Sequence, residues 1–456
     1  MPAVGGRIPG NGAHRSDARY HRKIGRAVLV RRIRPSTFNS WPSARCLRRE
    51  PGCVFGTASH GTLIILHAVH GLTLIYAGLF SAAVAFATNW LALIPWRQAK
   101  GKHWTERARV YHPVRIAAVS NLWVLPAVVT MTVILLWPDE SPHWAFLAFV
   151  TAIGAVTGTI PMDREVFPRI QLNDLLRQVA VTWLIRFLVW LVFLAAIALM
   201  PPEFNAQTVI IAAAVLILCI LWKQDGWFHV GRKLGLLLPP PARLQNIASD
   251  TSAKMNVSFK ELYLVRFSLA QAFAVPDSRR LLFTQRLLQL LSDDEIAAIC
   301  AHELAHLTEA RSDYYQRYVL WLTFLPWIFF KPMVHAFGVL GFLLLLFTSV
   351  LAPFFYRRVS KKLEERADRM AQSNEPDAGT YARALVRLYE DGLLPAVHAK
   401  DHATHPHLYD RLLAAGVTPD FLRPAAAGSM AWHGVLFSGA LGMLAMVLIT
   451  RMTQLF

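Results

Sequence analysis

The chain has 456 residues, of which 54% are hydrophobic and only 17% charged, with a mean hydropathy of +0.36. A charged fraction well below the soluble average of about a quarter excludes an ordinary water-soluble globular protein and points to a chain built into a membrane. The formal net charge is +18, and more than half of it is concentrated at one end.

Residues 1–60 carry 12 Lys or Arg against two acids, a net +10. They are rich in Arg, Gly, Pro and Ser, show no hydrophobic periodicity, and contain no signal-peptide core before residue 62. The segment reads as a basic disordered tail, with a natural start further downstream as one explanation of it. Its arginine-rich, acid-poor composition also fits mitochondrial targeting in principle. A nucleic-acid-binding arm would need a folded reader beside it, and none accompanies it, so no nucleic acid is expected as a partner.

Residues 61–222 form an N-terminal membrane region of about five spans. Apolar runs near 72–94, 114–137, 143–160, 180–200 and 207–222 approach or reach the roughly 20 residues needed to cross the hydrocarbon layer. The segment "WRQAKGKHWTERARVYHPVR" is basic and "PDES" acidic, which reads as cytoplasmic for the first and external for the second. Counting forward, 161–178 is inside, "PPEFNA" outside, and everything from 223 to the next apolar run inside. Five spans would leave the basic tail outside, against the same charge tendency, so either one span or the tail breaks the pattern.

Residues 223–316 leave the membrane through the proline-rich "GLLLPPPARL", then offer two short strands, "ELYLVRF" and "RLLFTQ", and helices over 284–291 and 293–311. The second helix runs into "ICAHELAHLTEARSDYY", residues 299–315. On a helix, positions four apart share one face, so His302 and His306 can present imidazole nitrogens to a single ion while Glu303 sits beside them. A catalytic zinc needs three protein ligands and an open position. Glycine and a third histidine do not follow at short range, since Glu309 and Ser312 occupy those places.

Residues 317–357 read as a membrane hairpin of two helices, 317–330 and 334–355, with "KP" at 331–332 as the far turn. Beyond Glu309 the only acid before residue 364 is Asp313. The strongest source of a third ligand is therefore "SKKLEERADRMAQ", a segment of good helix formers with Glu364, Glu365 and Asp368. Residues 358–426 hold helices around 358–372, 377–391 and 407–415, and 427–456 supplies a last span near 430–450. The cysteines at 46, 53, 219 and 300 show no C-x-x-C spacing, so no disulfide framework is expected, in keeping with a reducing compartment. His335 and Cys300 read as packing residues.

"AHELAH" followed by "LEERAD" resembles the membrane zinc peptidases that include the heat-shock protease HtpX and the type-1 CaaX prenyl proteases. "AFAVPDSRRLLFTQRLLQLLSDDEIAAICAHELAH" and "THPHLYDRLLAAG" are similar to two further stretches of that family, so the resemblance covers residues 270–416 in four ordered matches. Ala305, Arg311 and Lys361 depart from the usual pattern without touching a proposed ligand. The resemblance implies a mainly α fold of multi-pass membrane helices with an α+β zinc metallopeptidase domain, holding a small sheet and split by a membrane hairpin. It implies one Zn2+ per chain on His302, His306 and Glu364, with Glu364 preferred to Glu365 by the spacing to the A-D pair and Asp368 supporting a ligating histidine.

The expected function is a membrane-embedded zinc endopeptidase cutting membrane or misfolded proteins, with Glu303 as base for the attacking water. His405 and Arg411 are the expected donors to the oxyanion. The strand at Leu281–Thr284 is expected to border the cleft and pair with an extended substrate. The setting is an integral membrane protein, in the cell (inner) membrane, with its active site toward the cytoplasm, polypeptides as partners and the bilayer as solvent. A CaaX-type prenyl-peptide protease is the alternative that the five-plus-two spans favour. A non-catalytic scaffold or transporter retaining the fold is the alternative of another class, and it would have no use for Glu303.

Overall fold

The computed structural model describes residues 60–136, 144–309, 325–398 and 406–428. The expected tail at 1–60 lies outside these but for its last residue, as do Asp313, the first part of the hairpin and the final span near 430–450. The chain is mostly helical with one small sheet.

The membrane region opens with α1 (His60–Ala92), α2 (Ile94–Gln98), α3 (Trp104–Leu136), α4 (Trp144–Val166), α5 (Leu172–Leu199) and α6 (Ala206–Leu221). Among the described residues, four stretches are long and apolar enough to cross a membrane: Gly71–Gln98, Trp104–Thr130, Phe146–Val166 and Leu325–Thr348. Helix α6, at 16 residues, is a shorter apolar helix. The tightest crossing is α1 on α4. A Cβ added at Gly154 would lie 2.1 Å from the Gly78 carbonyl oxygen, and one at Gly158 would lie 2.3 Å from that of Ala82. Small residues four apart thus bring the two backbones together, which suits helices in lipid because apolar tails give them no hydrophobic reason to associate. Ser81 Oγ donates to the Thr151 carbonyl at 2.7 Å across this contact.

After a five-residue π-turn (Trp222–Gly226) come α7 (Trp227–Lys233) and β1 (Leu237–Leu238), then α8 (Ala242–Met255), β2 (Glu261–Val265), β3 (Ala272–Val275), β4 (Arg280–Thr284), α9 (Gln285–Leu290) and α10 (Asp293–His306). The proline run expected as a linker instead ends in Pro241 at the N-cap of α8. That helix buries Leu244 and Ala248 in the same core as Leu304 of α10.

The sheet order is β1-β2-β4-β3. Strand β4 pairs in parallel with β2 and antiparallel with β3, and all five of its residues are buried. This corrects the expectation that Leu281–Thr284 can receive a substrate. Both its edges are already hydrogen-bonded. The outer strand on that side is β3, which had no separate place among the expected strands and which packs against α10.

The hairpin differs most from expectation. A 3-10 turn at Leu325–Phe329 leads into α11 (Phe330–Asn374), a helix of 45 residues broken at Gly338, whose φ of +55° and ψ of −135° favour glycine. A Cβ on Gly341 would sit 2.2 Å from the Met333 carbonyl oxygen. Eight residues of continuous helix would separate such atoms by about 12 Å. The chain therefore doubles back at Gly338, while Lys331 and Pro332 lie in the first turn of α11, where a missing N–H costs no helical hydrogen bond. The helices expected separately at 334–355 and 358–372 are one unbroken run after Gly338, because nothing between Phe337 and Asn374 other than Gly338 and Gly341 and the tolerated Pro353 interrupts good helix formers.

Two ends of the molecule follow. Ile328 joins Phe193, Met200 and Val215 in one apolar cluster, and Phe329 stacks on Phe204, so the 3-10 turn at Leu325–Phe329 lies beside the α5–α6 turn. At the other end a continuous core combines Leu93, Trp96 and Tyr111 with Phe167 and Ile170, and with Leu281, Ile299 and Leu385 of the domain. The loops read as cytoplasmic and the domain are therefore at the same end. Two helices, α12 (Thr380–Asp391) and α13 (Leu408–Ala414), complete that end. Arg169 Nη2 donates to Asp391 Oδ2 at 2.7 Å, and Arg115 Nη2 to the Gly392 carbonyl at 2.9 Å, tying membrane helices to the domain.

Candidate metal centre

Helix α10 begins at a capping box. Ser292 Oγ accepts from Glu295 N, Glu295 Oε2 accepts from Ser292 N at 2.9 Å, and Asp293, Asp294 and Glu295 place acid at the positive end of the helix. The helix then runs buried through His302, Glu303 and His306, which retain 8%, 8% and 7% exposure. Helix α11 delivers Glu364, also 8% exposed. A clamp joins the two helices near this point: Arg366 Nη2 donates to Thr308 Oγ1 at 2.8 Å and to its carbonyl at 3.2 Å.

The three ligand atoms converge. His302 Nε2 and His306 Nε2 are 3.2 Å apart, and Glu364 places Oε2 3.5 Å from the first and Oε1 3.7 Å from the second. Tetrahedral coordination with bonds of about 2.0–2.1 Å requires ligand edges of about 3.3–3.4 Å, so the set fits zinc in both spacing and chemistry. No other group of three or more metal-ligating side chains comes together among the described residues. Glu365 is only partly exposed but does not join the cluster.

The far ring nitrogens fix the tautomers. His302 Nδ1 lies 2.8 Å from the Tyr381 hydroxyl and 3.2 Å from Asp368 Oδ1. Tyr381 gives its own proton to Asp368 Oδ1 at 2.7 Å and accepts from Arg411 Nη2 at 2.7 Å, so the free role left toward His302 is acceptor. His306 Nδ1 is 2.6 Å from Glu309 Oε1. Both imidazoles thus donate through Nδ1 and turn the Nε2 lone pair toward the shared point. Burial would push the His302 imidazole down, but its hydrogen bonds to Asp368 and Glu364 outweigh that and raise it to about 9. An incoming cation displaces this proton, so metal affinity falls as pH falls. Burial pushes Asp368 up; His302 and the Arg411 guanidinium prevail and hold it well below the usual carboxylate range.

His302, Glu303, His306, Glu364 and Asp368, separated in sequence by the hairpin, are brought to one place. His405 lies outside the described residues. Arg411 is near the site in a different position from the one expected of an oxyanion donor: it is 7% exposed, and its Nε and Nη2 bind Asp368 Oδ2 and Oδ1 at 2.7 and 2.6 Å. It stands behind His302, holding Asp368 and Tyr381. Tyr381 and Glu309 were missed. Glu309 could have been found, because three residues after His306 is one helical turn; Tyr381 sits in an amphipathic helix where an aromatic residue reads as core.

The Asp368 link yields a test. Asp368→Asn should weaken zinc binding by the roughly 10–100-fold seen for outer-shell partners, because the amide loses the charge that His302 and Arg411 need. Zinc titration of the chelator-stripped protein measures it, and unchanged affinity would remove Asp368 from the metal's support.

Residues 240–416 match the model described as Peptidase family M48, a stretch that runs from just before α8 through α13. No curated protein matches the chain.

Proposed function

From the membership of residues 240–416 in Peptidase family M48, the zinc metallopeptidase family of HtpX and the CaaX prenyl protease, we propose that this chain is a membrane-embedded zinc endopeptidase hydrolysing membrane or misfolded proteins. The convergence of His302, His306 and Glu364 beside a buried, non-ligating Glu303 carries the reading. A metallopeptidase is what the family supplies; the endopeptidase action, the substrate class and the residue roles are our inference.

His302 and His306 through Nε2, and Glu364 through its carboxylate, would hold the ion. Bound zinc supplies a Lewis acid that polarises the scissile carbonyl and acidifies water. The Glu303 carboxylate takes the proton of the attacking water and returns it to the leaving amine. Asp368, fixed by Arg411 and Tyr381, keeps His302 turned toward the metal. An extended substrate would add to the outer edge of β3, which pairs with no strand among the described residues, since main-chain hydrogen bonds accept many sequences.

Cleavage of casein and of a model membrane substrate by the purified protein, abolished by chelation and restored by zinc, is the test. Cleavage confined to a prenylated C-terminal peptide would favour the CaaX-type alternative, which the five apolar runs before the domain and the hairpin within it suit. Zinc binding with no cleavage of any of these would favour a scaffold.

The topology follows from the shared ion: α10 and the 364–368 turn of α11 must lie in one compartment, which the loop charges make cytoplasmic. Single cysteines near 312 and near 360, in a background without the native cysteines, should both label from the cytoplasmic side. Labelling from opposite sides would break the proposed site.

A further inference from the structure

A cavity lies away from the metal centre, where the start of α5 meets the domain. It has a volume of about 290 Å³ and is lined by Arg169, Arg177, Arg266 and Arg286, with Asp174 as the one acidic side chain on its wall. Four glutamines and a serine add further polar groups to that wall.

The charge is arranged rather than scattered. Asp391, whose side chain is 3% exposed, binds Arg169 at 2.7 Å and Arg286 at 2.6 Å, pinning two guanidiniums at the cavity. Arg177 spends Nη2 on the neutral Leu234 carbonyl at 2.8 Å, and neither it nor Arg266 forms an ion pair among the described residues. Four cations against Asp174 and Asp391 leave a net +2 around one concavity. The N-terminus of α5 opens on the same space. Its cap, Gln171, lines the cavity and makes no side-chain capping bond, so the first-turn N–H groups add a donor surface at the positive end of a 28-residue helix.

We propose that this cavity is a phosphate site, taking the phosphodiester of an anionic phospholipid headgroup or a soluble phosphate ester. Guanidinium forks and helix N–H groups aimed from several sides match the several acceptor oxygens of a phosphate. The position favours a lipid. The α5 side chains on the cavity wall, Asp174, Arg177 and Gln178, are polar, and the run 179–199 that follows is apolar except for Thr182 and Arg186, so the arginines stand where the helix enters the bilayer, as basic pockets for lipid headgroups do. The ligand would bridge α5 to α9, the short helix leading into α10, and so brace the domain against the membrane region.

The test uses the full chain in neutral detergent, with melting temperature and direct binding measured against short-chain phosphatidylglycerol, short-chain phosphatidylcholine and inorganic phosphate. Stabilisation by phosphatidylglycerol alone assigns the lipid, and stabilisation by inorganic phosphate as well assigns a general phosphate site. Arg177→Gln/Arg266→Gln should weaken that binding about tenfold or more. Arg266→Gln alone, at an exposed side chain, should weaken it in a protein that melts as wild type. Lys254→Gln/Lys260→Gln, which removes the same charge elsewhere on the domain, should leave it unchanged. No response to phosphatidylglycerol or phosphate, or an equal loss in the lysine variant, overturns the proposal.

Discussion

Glu303→Gln should retain zinc, the fold and the melting temperature while losing peptidase activity by two to four orders of magnitude, the range of general acid–base catalysis. The carboxylate is 8% exposed on the same turn as His302, yet it is not one of the three groups that converge on the metal point. An amide of nearly the same shape fills its space and leaves α10 intact. It cannot accept the proton of the attacking water. At 1.36 kcal/mol per tenfold, the loss corresponds to about 3–5 kcal/mol of transition-state stabilisation. The measurement is initial rate on casein beside metal content by elemental analysis. Activity near wild type, with zinc bound, would show that Glu303 is not the base and would take the proposed mechanism with it.

The second large effect is on the metal itself. Glu364→Ala should empty the site at zinc concentrations that saturate the wild type, whereas Glu365→Ala should bind as wild type. Glu364 approaches both histidine Nε2 atoms, at 3.5 and 3.7 Å, from a helix that reaches the site only after the hairpin. Removing it leaves two neutral ligands and no negatively charged one, so the loss should exceed the roughly 10–100-fold of an outer-shell change such as Asp368→Asn. Glu365, one residue on, points about 100° around the helix and away from the cluster. Equal zinc loss in the two variants would mean that the third ligand is wrongly placed.

Both predictions were reachable from the sequence because local periodicity does most of the work. Histidines four apart on a helix must share a face, whatever the rest of the chain does. Once a third ligand was needed, the near absence of acids between Glu309 and Glu364 left few choices. The membrane character was equally legible, since it rests on composition and run length, and the apolar runs correspond to helices α1, α3, α4, α5 and α6.

What the residues alone left open was everything set by distant neighbours. Strand β4 was recognised, but its place between β2 and β3 depends on pairing across sequence, so its lack of a free edge could not be read from "RLLFTQ". Arg411 looked like a donor for substrate; only packing shows its guanidinium committed to Asp368 and Tyr381. The hairpin turn was assigned to proline, the residue with the stronger local signal. The backbone reverses instead at Gly338, where close approach of Met333 to Gly341 demands a conformation and a bareness that only the folded chain reveals. By itself, then, the sequence pointed to the membrane setting through composition, to His302, Glu303 and His306 through short-range spacing, and to Glu364 through the scarcity of acids and the resemblance. The tertiary structure decided that both edges of β4 are occupied and which side chains hold His302 in place, because these depend on how strands pair and on contacts such as Tyr381 with His302, 79 positions apart.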